Sequence, residues 1–252
     1  MKTGWRIGHL IIATLALLAG PAVADNEVTT RITAQLEASG RGPYDAQKDA
    51  GRNPTGMMQF FGLKSGMTAL DMVTGSGYSA EILAAGVGPD GIVYAQNPFL
   101  ILRLIGGEHH RGMLQRLADD RLPNVRYLIV ESDDMPFESS VDFVFWGLNI
   151  HDEYHTRGGA AAIAMLSDIR RALKPGGILA LSDHVGIEGQ DNAELHRIQP
   201  TLVDAMLEEA GFVIEARSDL LANPDDDHTQ AIFDDGIRYR TDQFLIRARK
   251  PE

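Results

Sequence analysis

The run Leu70-Asp71-Met72-Val73-Thr74-Gly75-Ser76-Gly77-Tyr78 leads from an apolar stretch into a helical pattern through two glycines. Such a turn needs glycine because the backbone must bend sharply and approach a ligand with no Cβ in the way. The helix behind it opens with free N–H groups and a partial positive charge, which suits the polar end of a small ligand. Three readings fit these residues. A dinucleotide would place its pyrophosphate there, and Gly75-x-Gly77-x-x-Ala80 meets that spacing. A sulfonium nucleoside would place its amino-acid end there instead, with the strand-end acid Asp71 near its ammonium. The third reading is a tight strand-to-helix turn with no ligand.

Histidine supplies the second chemistry. Asn149-Ile150-His151-Asp152-Glu153-Tyr154-His155 follows one apolar run, Asp183-His184 ends another, and His196-Arg197 stands further along. Neutral imidazole near physiological pH can take the proton that a hydroxyl or amine gives up on alkylation. His151, Asp152 and His184 are therefore the candidate catalytic residues, against the plainer reading that they satisfy backbone groups at strand ends. His151 and His155, four apart, would also share one helix face and one ion. Asp152, His184 or Asp225-Asp226-Asp227-His228 would then add ligands. No third ligand stands at a diagnostic spacing, so no metal is expected, and His109-His110 reads as a solvated helix surface.

The elements that must hold these groups follow from hydropathy. After Gly62, short apolar runs alternate with longer segments of helical period, the mark of βαβ units and a mostly parallel sheet. Strands are expected over residues 68–73, 91–96, 125–130, 141–146 and 178–182, then 212–216 and 241–248. Helices fill residues 78–85, 100–119, 159–173 and 193–210, while the acidic stretch 223–236 reads as a solvated loop. Before Gly62 the chain is polar and helical in pieces, broken at Pro43 and Pro54, with Met57, Met58, Phe60 and Phe61 as an apolar face.

From Thr68 to Lys250 the order of segments resembles the class I S-adenosylmethionine-dependent methyltransferases. Asp71 to Gly77 stands where that family has an acid and a glycine-rich turn. Ser132-Asp133-Asp134-Met135-Pro136-Phe137 is similar to its acid-rich segment after the third strand, and Val141-Asp142-Phe143-Val144-Phe145-Trp146 to its fourth strand. Leu173-Lys174-Pro175-Gly176-Gly177-Ile178-Leu179-Ala180-Leu181 resembles its turn into the fifth strand most specifically, because a helix stop and a buried strand occur together. The resemblance implies an α/β, Rossmann-like three-layer sandwich whose seven-stranded, mostly parallel sheet has an antiparallel last strand. It also implies S-adenosyl-L-methionine as cofactor. Asp71, Gly75, Gly77 and Tyr78 would hold its amino-acid end, and Glu131, with Asp133 as neighbour, its adenine. Two residues depart from the pattern: Val73 replaces the usual first glycine, and Asn97 stands where an acid grips the ribose hydroxyls.

The bulk numbers set the frame. With 252 residues, 44% of them hydrophobic, the chain supports one good core. The formal charge of −12, with no basic run, argues against nucleic acid and leaves a small-molecule substrate as the expected partner. Lys2 and Arg6, the apolar residues 10–19, Gly20-Pro21 and Ala22-Val23-Ala24 read as a secretory leader cleaved after Ala24. The expected plan is a leader over residues 1–24, a helical cap over 25–62 and a methyltransferase-like domain over 63–252, exported to the periplasm without stable membrane insertion. The first expectation is methyl transfer to an unidentified small-molecule or envelope acceptor. A non-catalytic periplasmic ligand-binding protein and an NAD-dependent oxidoreductase are its rivals. The chain has no cysteine, so no disulfide forms in any compartment.

Overall fold

The computed structural model describes residue 1 and residues 21–252; the basic and apolar parts of the expected leader, residues 2–20, lie outside the described residues. Helices α1 (Pro21–Leu36), α2 (Asp45–Arg52) and α3 (Pro54–Phe61) precede the sheet. Then come β1 (Thr68–Asp71), α4 (Tyr78–Val87), β2 (Ile92–Asn97), α5 (Glu108–Leu117), β3 (Val125–Ile129) and β4 (Val141–Gly147). The chain closes with α6 (Ile150–Arg157), α7 (Gly159–Ala172), β5 (Leu173–His184), α8 (Pro200–Glu209), β6 (Val213–Ser218) and β7 (Gln243–Arg249).

The seven strands lie in the order β3-β2-β1-β4-β5-β7-β6, and β7 alone runs against its neighbours. One hydrophobic cluster, including Ile32, Met58, Phe61, Leu83 and Phe143, packs one sheet face; the other, including Leu70, Trp146, Leu166 and Val203, packs the opposite face. The strand order reverses direction between β1 and β4, so a crevice must open at their carboxyl ends.

Three expectations give way, two to backbone chemistry and one to a buried ion pair. The helix read over residues 100–119 is two 3-10 turns followed by α5, because Ile105, Gly106 and Gly107 all take positive φ and break the helical run. The helix read from residue 193 begins only at Pro200, since proline disfavours a helical residue before it and is welcome as the first helical residue itself. The acidic stretch 223–236 is not simply solvated: Arg197, fully buried, grips Asp226 through two bonds of 2.9 and 3.0 Å.

Buried charge fastens α2 to the sheet domain. Arg116 of α5 binds both Asp45 of α2, at 2.7 Å, and Glu81 of α4. Arg121 adds a two-bond pair to Glu81 at 2.7 Å each. On the other face of α2, Gly51 meets the late loop so closely that an added Cβ would fall 1.7 Å from the Tyr239 carbonyl oxygen. Arg52, the last residue of α2, is placed by both contacts.

Candidate functional site

Thr74 to Gly77 carries the chain from the end of β1 into α4. Asp71 is buried there, its Oδ2 accepting the Thr74 hydroxyl at 2.5 Å. Burial raises its pKa to about 7, against the opposing pull of the Thr74 bond, the Ala80 N–H and the charge of Arg52. Val73 takes φ 53°, a left-handed conformation that strains a β-branched residue and that glycine would adopt freely. Gln96 braces it, its Oε1 accepting the Val73 N–H at 3.0 Å.

Asn97 braces Gly75, two residues on. Its Oδ1 accepts the Gly75 N–H and its Nδ2 donates to the Gly75 carbonyl, both at 2.9 Å, and Nδ2 also donates to the Tyr127 hydroxyl at 3.2 Å. The amide expected to face a ribose is thus engaged by the turn itself. The two glycines differ as well. At Gly75, φ 59°, an added Cβ would meet only His109 Nδ1 at 3.6 Å, so this side of the turn is open. At Gly77, φ 83°, it would fall 2.3 Å from Met113 Sδ, so the space is filled by α5 rather than reserved for a ligand.

A small cavity of about 20 Å³ lies just past the turn, walled by Arg52, Tyr78, Ser79, Gly147, Leu148 and Ser182 among others. It sits at the carboxyl ends of β4 and β5, against the start of α4. Tyr78 donates its hydroxyl to Asp49 of α2 at 2.9 Å. Arg52, half-buried, stacks 5.0 Å from the Tyr78 ring and makes no hydrogen bond or ion pair among the described residues. Arg52 thus lines the cavity, while Asp71 lies buried at the end of β1 and feels its charge. Glu131 and Asp133 do not line this cavity. They border a second cleft with Glu153, Arg157 and Asp168, where Glu131 accepts the Phe99 N–H at 3.0 Å.

The histidines cluster, though not as base and acceptor. His151 Nδ1 lies 2.7 Å from Asp183 Oδ1, and its backbone N–H donates to Asp183 Oδ2 at 3.0 Å. Burial lowers the His151 pKa, but the charges of Asp183 and Asp152 outweigh it and bring the value to about 10. At neutral pH this is an imidazolium, which cannot accept a proton. His184, 5.9 Å away between ring centres, is driven by burial to about 3 and shares a 2.7 Å contact with Thr241. Neither ring lines the cavity. His155 turns from His151 to the Arg197 carbonyl at 2.9 Å, so the pair four apart does not converge. His196 approaches instead, its Nδ1 3.1 Å from Asp152 Oδ1.

Known structures share this architecture. A methyltransferase from Aquifex aeolicus described as S-adenosylmethionine-dependent is 22% identical, with TM-score 0.59, and the match covers 88% of this chain and 97% of that one. The fold is that of the S-adenosylmethionine-dependent methyltransferases. A Haemonchus contortus phosphoethanolamine N-methyltransferase, solved with S-adenosyl-L-methionine, matches at 18% identity and TM-score 0.58, over 89% of this chain and 57% of that one. The cyclase SpnF matches at 18% identity and TM-score 0.60, over 89% of this chain and 93% of that one, so the methyltransferase fold by itself does not select a reaction. The model of the protein-L-isoaspartate(D-aspartate) O-methyltransferase family matches residues 44–127, which span the crevice-forming turn and α2. No curated protein sequence matches the chain.

Two residues of this site escape a sequence reading. Arg52 ends a short polar helix with no motif around it. His109 reads as surface, yet it borders the open side of Gly75, where burial and the Lys48 charge lower its pKa.

Proposed function

We propose that the protein is an S-adenosylmethionine-dependent methyltransferase acting on a small-molecule or envelope acceptor. One observation carries the reading: Arg52, a cation without an ion-pair partner among the described residues, lines the cavity at the start of α4, while the acid Asp71 ends β1 just before the turn whose Gly75 face is open. An amino-acid end presents an ammonium and a carboxylate, which satisfy both. An acid and a cation at this end of the crevice match the chemistry of the cofactor's amino-acid end, and when bound the cofactor supplies an electrophilic methyl group on a sulfonium. Asp71 holds the ammonium, Arg52 the carboxylate, and the Gly75 backbone lets the ligand approach closely.

Gly147, Leu148 and Ser182 wall the same cavity from the ends of β4 and β5 and border the acceptor. The chain's contribution is chiefly alignment within a water-poor crevice, which is worth several kcal/mol on its own. His151, joined to Asp183 behind that wall, is not assigned the acceptor's proton. Export belongs to the same proposal and rests on Lys2, Arg6, the apolar residues 10–19 and Ala22-Val23-Ala24.

The test is S-adenosylhomocysteine release by purified protein across a panel of hydroxyl, amine and carboxyl acceptors, with NAD and an oxidisable alcohol as the control reaction. Release with any acceptor supports the reading. Binding of S-adenosylmethionine without release favours the ligand-binding rival, and nicotinamide reduction favours the oxidoreductase.

A further inference from the structure

The methyl-transfer reading leaves one cluster unused. His151 Nε2, Asp152 Oδ1 and His196 Nδ1 converge so that all three atoms lie within 4.8 Å of one another, and none of the three residues lines the cavity. Asp152 Oδ1 stands 3.4 Å from His151 Nε2 and 3.1 Å from His196 Nδ1. Ligands held at zinc-class bond lengths in a tetrahedral array stand about 3.4 Å apart.

A second observation points to a ligand. His151 is 2% exposed, yet its Nε2 has no aligned hydrogen-bond partner. Burying an unsatisfied polar nitrogen is unfavourable, so an orphan aimed at two other donor atoms calls for an occupant. The far side of the ring is arranged to match. Asp183 Oδ1 lies 2.7 Å from Nδ1, and Asp183 Oδ2 accepts the His151 backbone N–H at 3.0 Å, which holds a proton on Nδ1 and fixes the ring plane with Nε2 turned to the cluster. A carboxylate behind an imidazole is the usual support of a metal-binding histidine.

We propose that His151 Nε2, the Asp152 carboxylate and His196 Nδ1 bind one first-row divalent cation of the zinc class. Two imidazoles and one carboxylate suit such ions and disfavour magnesium and calcium, which take oxygen. The ion takes the place of the Nε2 proton, which leaves to solvent, and Asp152 with Asp183 offsets its two charges. Asp152 and His196 are partly exposed, with side-chain exposures of 54% and 37%, so the remaining coordination positions face water. The bound ion ties the segment around His196 to the first turn of α6, immediately after the Gly147–Leu148 wall of the crevice.

The test does not depend on methyl transfer. Full-length protein stripped with a chelator is titrated calorimetrically with Zn²⁺, Mn²⁺ and Mg²⁺, and Co²⁺ is followed by visible absorption. Asp152→Asn and His196→Asn are compared; asparagine tolerates the φ of 54° at position 196. One equivalent of Zn²⁺ is expected in the parent, with about tenfold or greater weakening in each variant, unchanged metal-free unfolding and no Mg²⁺ binding. Absence of stoichiometric Zn²⁺ or Co²⁺ binding in the parent overturns the proposal. So does binding of equal affinity in both variants, which places the ion on other histidines.

Discussion

Asn97 holds Gly75 by a reciprocal pair of hydrogen bonds, accepting its N–H and donating to its carbonyl, each at 2.9 Å. The second strand thereby grips the turn between β1 and α4 directly. An acid at this position is the expectation for a ribose contact, but an acid cannot make this brace, because a carboxylate has no hydrogen to give the Gly75 carbonyl.

Asn97→Asp is therefore expected to loosen the turn rather than improve it. The loss of one donor and the new repulsion at the Gly75 carbonyl should lower stability by about 1–3 kcal/mol. Chemical denaturation of parent and variant measures it. Tighter adenosyl binding with unchanged stability would show that Asn97 faces the ribose after all.

At Gly77 the close neighbour is Met113. Gly77→Val forces a branched side chain into space that the Met113 sulfur already fills, at positive φ as well. Overpacking plus left-handed strain should lower the unfolding midpoint clearly, by several kcal/mol in stability. A variant that unfolds like the parent but binds no cofactor would mean that Gly77 faces ligand.

Asp71 carries a pH signature. Its folded pKa of about 7 lies above the unfolded value of 3.8, so the folded state binds the proton more tightly. Its contribution favours folding fully below pH 4 and is lost as pH rises towards and through 7. Asp71→Asn should remove that loss, making the variant more stable than the parent at pH 8 by up to about 4 kcal/mol, with little difference at pH 4. A cationic ligand paired with the carboxylate should also bind more weakly below pH 7 in the parent. Thermal unfolding and titration across pH 4 to 8 follow both effects.

Arg116 tests the frame that carries Arg52. It is buried between Asp45 and Glu81, so Arg116→Met leaves two buried carboxylates with fewer partners. A stability loss of about 3–5 kcal/mol is expected by denaturation. A loss under about 1 kcal/mol would mean that water reaches the network.

Much of this was legible in the residues. The alternation of short apolar runs with helical segments sets out all seven strands, and the Lys174-Pro175-Gly176-Gly177 stop marks the start of β5. The turn at Gly75 was legible too, because few sequences pass from strand to helix through two glycines without a tight bend. The side-chain partners were not. Nothing in the local pattern says that Asn97 turns to Gly75, or that Met113 fills the space over Gly77. Those facts depend on how β2 and α5 pack. His196 is 45 positions beyond His151, and only the end of β5 and the turn before α8 bring it to Asp152. Arg52 gains its meaning solely from what α2 is fastened against.

The most direct test of the cofactor site is calorimetric titration of S-adenosylhomocysteine into the parent and Arg52→Met, repeated with its decarboxylated analogue. One molecule per chain is expected to bind the parent. Arg52→Met should weaken S-adenosylhomocysteine by about tenfold or more while leaving the analogue nearly unchanged, because only the carboxylate meets the guanidinium. No binding to the parent, or equal losses for both ligands, would contradict the assignment of Arg52 and Asp71 to the amino-acid end.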